Sequence, residues 1–563
     1  MKEKELYGKI LYLLFSIVWA IGFVALATMT DETTSKSHIE QLKAALNKWR
    51  LAFLILGLSY LVLLVLNLSN MPMNWDEIVH LNGALFLKHG LYTNFVNNSF
   101  YPPLFDSITF GFFNVFGVSL FSARLVSTVF SVLTLCAVFE LAYSMYGGKV
   151  ALLSSILLAV MPGYFWLSRM ALLEVMLVFF FTLSLFFFYR WLNNHQNKML
   201  VFSGLALGLG FLTKYQVLAA AVVMIVSLVV LGWGQLKHLF SRFTVLIGVA
   251  VIVVVPWLVI AYKAYASKLL SQWAYAIQMG NPGKSLYSVR FPVPIFYLVE
   301  MVWPYPDIHP ISLLLYVVGL AGLGLFLWRR KKEDKFLFIW FVSVLVFFTL
   351  ISNREWRYVL TLFPTLAISA ASLILFVYDR AQSTWKGHIN LNKKRATKVA
   401  SILFIVFLGV AMAMSINDNY TIVSKYNIPI HIQDATNYAI ARDAANQSIM
   451  VLSPFNFFSK DMVNFYLLAD DQTQIHTYQY PELPDDTYTP TFNIAEFIGL
   501  CKQNNVKFVF TYENGGTATY FNTTLNLQQI YEQIYASGNF SGISDQATFG
   551  TNPRRILILN FTG

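Results

Sequence analysis

Two adjacent carboxylates, Asp76 and Glu77, stand in the polar island "NWDEIVHLNG" between long apolar runs. A carboxylate within hydrogen-bond reach of a hydroxyl can take its proton and act as a general base. Part of the pair has a plainer use. Asn74 followed by Glu77 has capping-box spacing, and "EIVHLNGALFLKHG" is an amphipathic pattern that stops at Gly90. Capping needs only Asn74 and Glu77, so Asp76 is left over, next to Trp75. Elsewhere the groups with chemical potential are cations at the ends of apolar runs: Arg169 in "LSRMALLE", Lys214 in "FLTKYQ", and Arg354 and Arg357 in "NREWRY".

The elements that must position these groups are membrane helices. The chain of 563 residues is 57% apolar and 16% aromatic, and its 12% of charged residues is about half the soluble average. Several runs reach the roughly 18 residues needed to cross hydrocarbon as a helix. Spans are predicted near 8–28, 51–69, 121–143, 149–167, 170–189, 199–213, 215–232, 243–263, 310–328, 336–351, 357–378 and 398–416. The net charge of +11 is unevenly spread: from Asp418 onward there are 7 Lys+Arg against 13 Asp+Glu, net −6, which leaves 33 against 16, net +17, before it. That excess gathers in short loops such as "RRKKEDK" and "NKKRATK", the positive-inside pattern, and gives no support to a nucleic-acid groove. With those loops cytoplasmic, alternation places 70–120, 264–309, 352–356 and everything after 417 outside. Residues 8–28 are either an extra span or a signal segment. Cys136 and Cys501 form no disulfide framework.

The expected organisation is an N-terminal helix and linker at 1–50 and an all-α polytopic domain at 51–416, with external loops at 70–120 and 264–309. A C-terminal α/β domain follows at 417–563. In this last part "SIMVLS", "KFVFTY" and "RILILNF" are β-rich runs separated by helical patterns, which predicts a small parallel layer. Sequons at Asn419, Asn446, Asn522, Asn539 and Asn560 suit an external face.

Ionisable side chains beside hydrocarbon are costly and are commonly functional; snorkelling to the interface is the alternative for any one of the four cations. The succession "WDEIVHLNGALFLKHGLY", "YPPLFDSITFGFFNVFG", "SLFSARLVS", "GGKVALLSSILLAVMPGYFWLSRMALLEV", "GFLTKYQ" and "NREWRYVLTLFP" resembles the membrane glycosyltransferases of the C fold (GT-C) over roughly residues 50–380. The resemblance is to the branch of the protein O-mannosyltransferases and the aminoarabinose transferase of lipid A.

This resemblance implies transfer of a sugar, a mannose-like hexose, from a polyprenyl phosphate to a glycan, lipid or protein acceptor. Transfer would invert the anomeric carbon, on the outer face of the plasma membrane. The acidic pair of the family's first loop corresponds to Asp76 and Glu77, the first acid being the expected base. Lys214 and Arg357, in the "KY" and "RY" pairs, are the first candidates for the leaving phosphate, followed by Arg169 and Arg354. Tyr358, Tyr101 and Trp303 are further candidates for the substrate site. Glu174 would orient a sugar hydroxyl or pair with Arg169. Where the aminoarabinose transferase carries an acid and a lysine, this chain has Tyr101 and Pro102, which disfavours aminoarabinose. No cofactor is required by the motifs; a divalent metal is the alternative, with His80 and His309 as candidate ligands. The competing reading of the whole chain is a lipid or glycolipid transporter, although no internal repeat supports it.

Overall fold

The computed structural model describes residues 47–98, 102–278, 290–304, 309–386, 391–427, 429–442, 447–454, 457–482, 491–514, 525–541, 548–551 and 554–563. The expected span at 8–28, Tyr101, and the sequons at Asn446 and Asn522 lie outside the described residues. The first described helix, α1 (Lys48–Val65), starts on Asn47, whose side chain accepts from the N–H groups of Trp49 and Arg50. It is followed by α2 (Trp75–Lys88), α3 (Leu104–Phe116), α4 (Leu120–Tyr146), α5 (Gly148–Val160) and α6 (Pro162–Leu167). Then come α7 (Leu173–Asn194), α8 (Asn197–Thr213), α9 (Leu218–Leu231), α10 (Leu236–Gln278), α11 (Leu313–Arg329) and α12 (Lys332–Thr349). The helical part closes with α13 (Phe363–Lys386) and α14 (Leu391–Tyr426). Among the described residues, six helical stretches are long and apolar enough to cross a membrane, and the protein is an integral membrane protein.

Sequence punctuation explains most boundaries. The turn between α4 and α5 is Gly147, with φ of +83°, a left-handed conformation that a side chain would disfavour. The predicted span 149–167 is broken in two, because Pro162 has no N–H to donate and its ring excludes a continuous helix. Conversely, α10 runs on to Gln278, beyond the expected end at residue 263. The stretch "AYKAYASKLLSQWAYAIQ" contains no Gly or Pro to stop it. The span expected from 357 begins instead with a 3-10 segment, Trp356–Leu362, before α13. The last helix likewise passes residue 416 and ends at Tyr426.

Beyond α14 come α15 (Ile432–Ile440), β1 (Ser448–Leu452), α16 (Lys460–Ala469), β2 (Thr477–Tyr480), α17 (Ile494–Gln503), β3 (Val506–Asn514), α18 (Leu527–Ala536), β4 (Phe540–Ser541), β5 (Thr548–Thr551) and β6 (Arg554–Phe561). The sheet order is β2-β1-β3-β6-β4, with β5 paired to β6. β1 is parallel to β2 and β3 as expected, but β6 runs antiparallel to both β3 and its hairpin partner β5, so the sheet is mixed. The strands alternate between two cores. Ile449, Val451, Phe508, Phe510, Ile556 and Ile558 join the main core, together with Met462 and Phe465 of α16 and Ile78, Leu81 and Leu85 of α2. Met450, Leu452, Val509, Leu557 and Leu559 face Phe497 and Ile530 on the other side. Apolar packing is therefore continuous from the tail sheet through α16 to the helix that carries Asp76.

That contact is also fixed by polar bonds. Asn82 Nδ2 donates to the Asp461 carbonyl at 3.2 Å, and His89 Nε2 lies 2.8 Å from the Leu468 carbonyl. Asn419, expected as a glycan acceptor, instead donates its side-chain amide to the Val160 carbonyl at 2.9 Å.

Candidate active site

The two adjacent acids point to different places. A capping box opens α2: the Asn74 side chain accepts from the Asp76 N–H, and Glu77 Oε2 accepts from the Asn74 N–H. Glu77 is fully buried. Its Oε1 accepts from Arg124 Nε at 2.9 Å and from the Ala171 N–H at 2.7 Å, and its Oε2 from Arg124 Nη2 at 2.8 Å. Four donors thus occupy the carboxylate, leaving it no room to accept a proton from a substrate. Of the two acids expected at the catalytic position, Glu77 is thus the one that braces α2 against the segment that leads into α7.

Arg124 extends the brace. Its remaining donors reach the carbonyls of Leu68, Met71 and Pro72, in the loop that delivers the chain to α2. Arg169 does the same for the end of α1, donating to the carbonyls of Leu64 at 2.6 Å and Leu66 at 2.9 Å. It does not pair with Glu174; its Nη1 and Nη2 go to carbonyls at the end of α1. Arg354 similarly donates to the Thr349 carbonyl at the end of α12. Arg169 and Arg354, expected to face a phosphate, thus both donate to backbone carbonyls at helix ends.

Asp76 remains half exposed at 52% of its side chain, and around it the structure gathers the other expected residues. Arg357 Nη1 lies 2.9 Å from Asp76 Oδ2 and 3.7 Å from Glu174 Oε1. Lys214 Nζ donates to the same Glu174 oxygen at 3.0 Å and stands 5.4 Å from the centre of the Tyr358 ring, within cation–π range. Each side chain is at an element end: Asp76 and Glu174 in the first turns of α2 and α7, Lys214 just past α8, and Arg357 in the 3-10 segment. Glu355 completes the group, its two oxygens meeting Nε and Nη2 of Arg357 at 2.5 and 2.9 Å.

The other candidates stand apart from this cluster in their bonding. Trp303 is half exposed, with its ring edge-on to His309. His80 Nδ1 is 2.8 Å from Asp106 Oδ1, and His309 Nδ1 is 3.0 Å from the Val302 carbonyl. The two imidazoles serve separate contacts, and among the described residues no three His, Cys, Asp or Glu side chains group as a metal site. Sequence reading overlooked Arg124 and Glu355, although both lay in quoted motifs. An arginine inside the apolar run "SLFSARLVS", and an acid between the two arginines of "NREWRY", were the available signals.

Comparison with known proteins bears on the fold that carries this cluster. The family model described as dolichyl-phosphate-mannose-protein mannosyltransferase matches residues 101–260. The undecaprenyl phosphate-alpha-4-amino-4-deoxy-L-arabinose arabinosyl transferase of Yersinia pestis (strain Pestoides F) is 26% identical over 310 residues, 54% of this chain and 52% of the relative. That of Serratia proteamaculans (strain 568) is 26% identical over 267 residues, 46% of each. The chain thus matches about half the length of these curated relatives. Among solved structures, ArnT from Cupriavidus metallidurans bound to undecaprenyl phosphate superimposes with a TM-score of 0.60 at 14% identity, covering 92% of this chain and 98% of that one. The oligosaccharyltransferase AglB from Archaeoglobus fulgidus, in complex with an inhibitory peptide and a dolichol-phosphate, gives 0.53 at 13% identity, covering 81% and 69%. The chain has the GT-C fold and is similar to the protein O-mannosyltransferase and aminoarabinose transferase-like membrane proteins.

Proposed function

We propose that this protein is an inverting glycosyltransferase that moves a monosaccharide from a polyprenyl phosphate to an acceptor hydroxyl. The observation that carries the reading is the meeting of a half-exposed carboxylate, Asp76, with Arg357, Lys214 and Glu174 at four element ends. In the reaction Asp76 takes the proton of the attacking hydroxyl. The new bond forms at the anomeric carbon as its bond to the lipid phosphate oxygen breaks, and that oxygen keeps the electron pair. Arg357 and Lys214 offset the charge that develops there. The leaving group is already a stable phosphate, so one base suffices and no general acid is required. Glu174 holds both cations in place and is positioned to orient a sugar hydroxyl.

The finer assignments follow the motifs. The sugar is a hexose, mannose-like, in keeping with the matched family model; the curated relatives are aminoarabinose transferases, so a test must include both donors. The acceptor is a glycan, lipid or protein. Residues 51–416 form the catalytic membrane domain, and residues 417–563 form an α/β domain on the extracytoplasmic side of the plasma membrane. Lipid extracts of cells lacking the gene test the donor class. An accumulated polyprenyl-phosphate sugar supports the reading and names the sugar, whereas an unchanged polyprenyl-phosphate pool contradicts it.

A further inference from the structure

We infer that Glu355 is a positioning residue for the transfer, acting through Arg357. The inference rests on the reading of Arg357 as a ligand of the donor phosphate. A guanidinium offers a planar fork of donors, and a carboxylate that takes two of them fixes the plane. Glu355 occupies Nε and Nη2 of Arg357, while Asp76 and Glu174 share Nη1. The clamp and the shared donor lie on opposite sides of one rigid group. Holding the first therefore sets where the second points, toward the base and the buried acid together. Both oxygens of Glu355 go to Arg357, and its side chain is 18% exposed, so the pair is partly shielded from water. An exposed ion pair would contribute little, but a shielded bidentate pair retains directional strength.

The physical consequence is a division of labour among three acids around one cation. Glu355 holds Arg357, Glu174 ties it to Lys214, and Asp76 is the member exposed enough to meet an acceptor. When a donor phosphate oxygen approaches Nη1, it competes with Asp76 for that donor. Arg357 stays in place because Glu355 still holds its other edge, and Asp76 is released toward the acceptor hydroxyl. Without Glu355 the guanidinium would follow whichever anion was nearest, and the release would be lost.

The test is a double-mutant cycle in the full-length protein in lipid nanodiscs, using Glu355→Gln, Arg357→Lys and the double variant, with Glu355→Asp as the conservative control. Two quantities are read: kcat/KM for a polyprenyl-phosphate sugar, and the Kd of undecaprenyl phosphate alone. Glu355→Gln is expected to lower kcat/KM by about 10- to 100-fold, the usual range for losing a bond to a charged group. Glu355→Asp should recover part of the loss. The double variant should be no worse than Arg357→Lys beyond about twofold, since a residue acting only through Arg357 has nothing further to lose. The same cycle on Kd should be equally non-additive, with the thermal unfolding midpoints of all variants close to wild type. Losses that multiply in the double variant, or a wild-type rate for Glu355→Gln, overturn the inference while leaving the proposed function standing. A wild-type protein that neither binds undecaprenyl phosphate nor transfers any sugar overturns both.

Discussion

Asp76 and Glu77 are neighbours in sequence, yet their carboxylates leave α2 in different directions, one to the partly buried Arg357 and the other to the fully buried Arg124. Adjacent helical residues do not face each other, so a single turn of helix sends one acid to the cluster around Arg357 and the other to the buried Arg124.

The buried half of this arrangement predicts a stability effect. Glu77→Gln removes the charge that compensates Arg124 and weakens the tie to the Ala171 N–H. Breaking a buried pair from one side typically costs about 3–5 kcal/mol, because the other charge is left unpaired. Thermal unfolding in detergent should show a clear loss for Glu77→Gln and for Arg124→Met. Wild-type midpoints for both would show that the brace is dispensable.

At the phosphate side, Lys214→Met should raise the donor KM by about tenfold or more, as expected for a lost charge-assisted bond. It also leaves Glu174 with Arg357 alone, at 3.7 Å. Steady-state kinetics at varied donor concentration separate the two outcomes. An unchanged KM would mean that Lys214 only neutralises Glu174.

A pH-dependent prediction concerns the tail helix α16, outside the membrane spans. Burial raises the Asp461 carboxyl above its ordinary value, with Glu482 adding to the rise and Lys460 opposing it. A folded-state value above the unfolded one means that the folded state binds the proton more tightly. The resulting stability is complete below the unfolded value, about 3.9, and is lost as pH rises through the folded value. Asp461→Asn removes that loss, so its melting temperature should exceed wild type by a margin that grows between about pH 4 and pH 7. A margin that stays flat across this range would contradict the assignment.

Much of this organisation was legible in the sequence because the relevant signals are local. Apolar runs gave the membrane helices, and the spacing from Asn74 to Glu77 gave the capped start of α2. Asp76, Glu174, Lys214, Arg357 and Tyr358 are candidates by motif resemblance, and the structure brings these five together. What was not legible is long-range geometry. Arg169 and Arg354 look like Arg357 in sequence, at the end of an apolar run, but they donate to helix-end carbonyls. The antiparallel return of β6 depends on the β5–β6 hairpin, and no periodicity in "RILILNF" specifies strand direction.

Orientation is tested by labelling. Cysteines introduced at the exposed positions Lys331 and Lys502 should respond oppositely to an impermeant thiol reagent in intact cells: Lys331→Cys protected, Lys502→Cys labelled. The native cysteines, Cys136 and Cys501, are both buried and should give little background. The reverse pattern would put the site on the cytoplasmic face and reopen a nucleotide-sugar donor.

The most direct measurement of the account is single-turnover transfer by Asp76→Asn, with undecaprenyl phosphate binding and thermal stability followed in the same preparation. Asparagine keeps the shape of the side chain and its bond to Arg357 Nη1 but cannot accept the proton. The predicted result is a folded protein that binds the lipid phosphate and transfers sugar about 10² to 10⁴ times more slowly. Transfer at close to the wild-type rate by that folded, lipid-binding variant would contradict the assignment of Asp76 as the base.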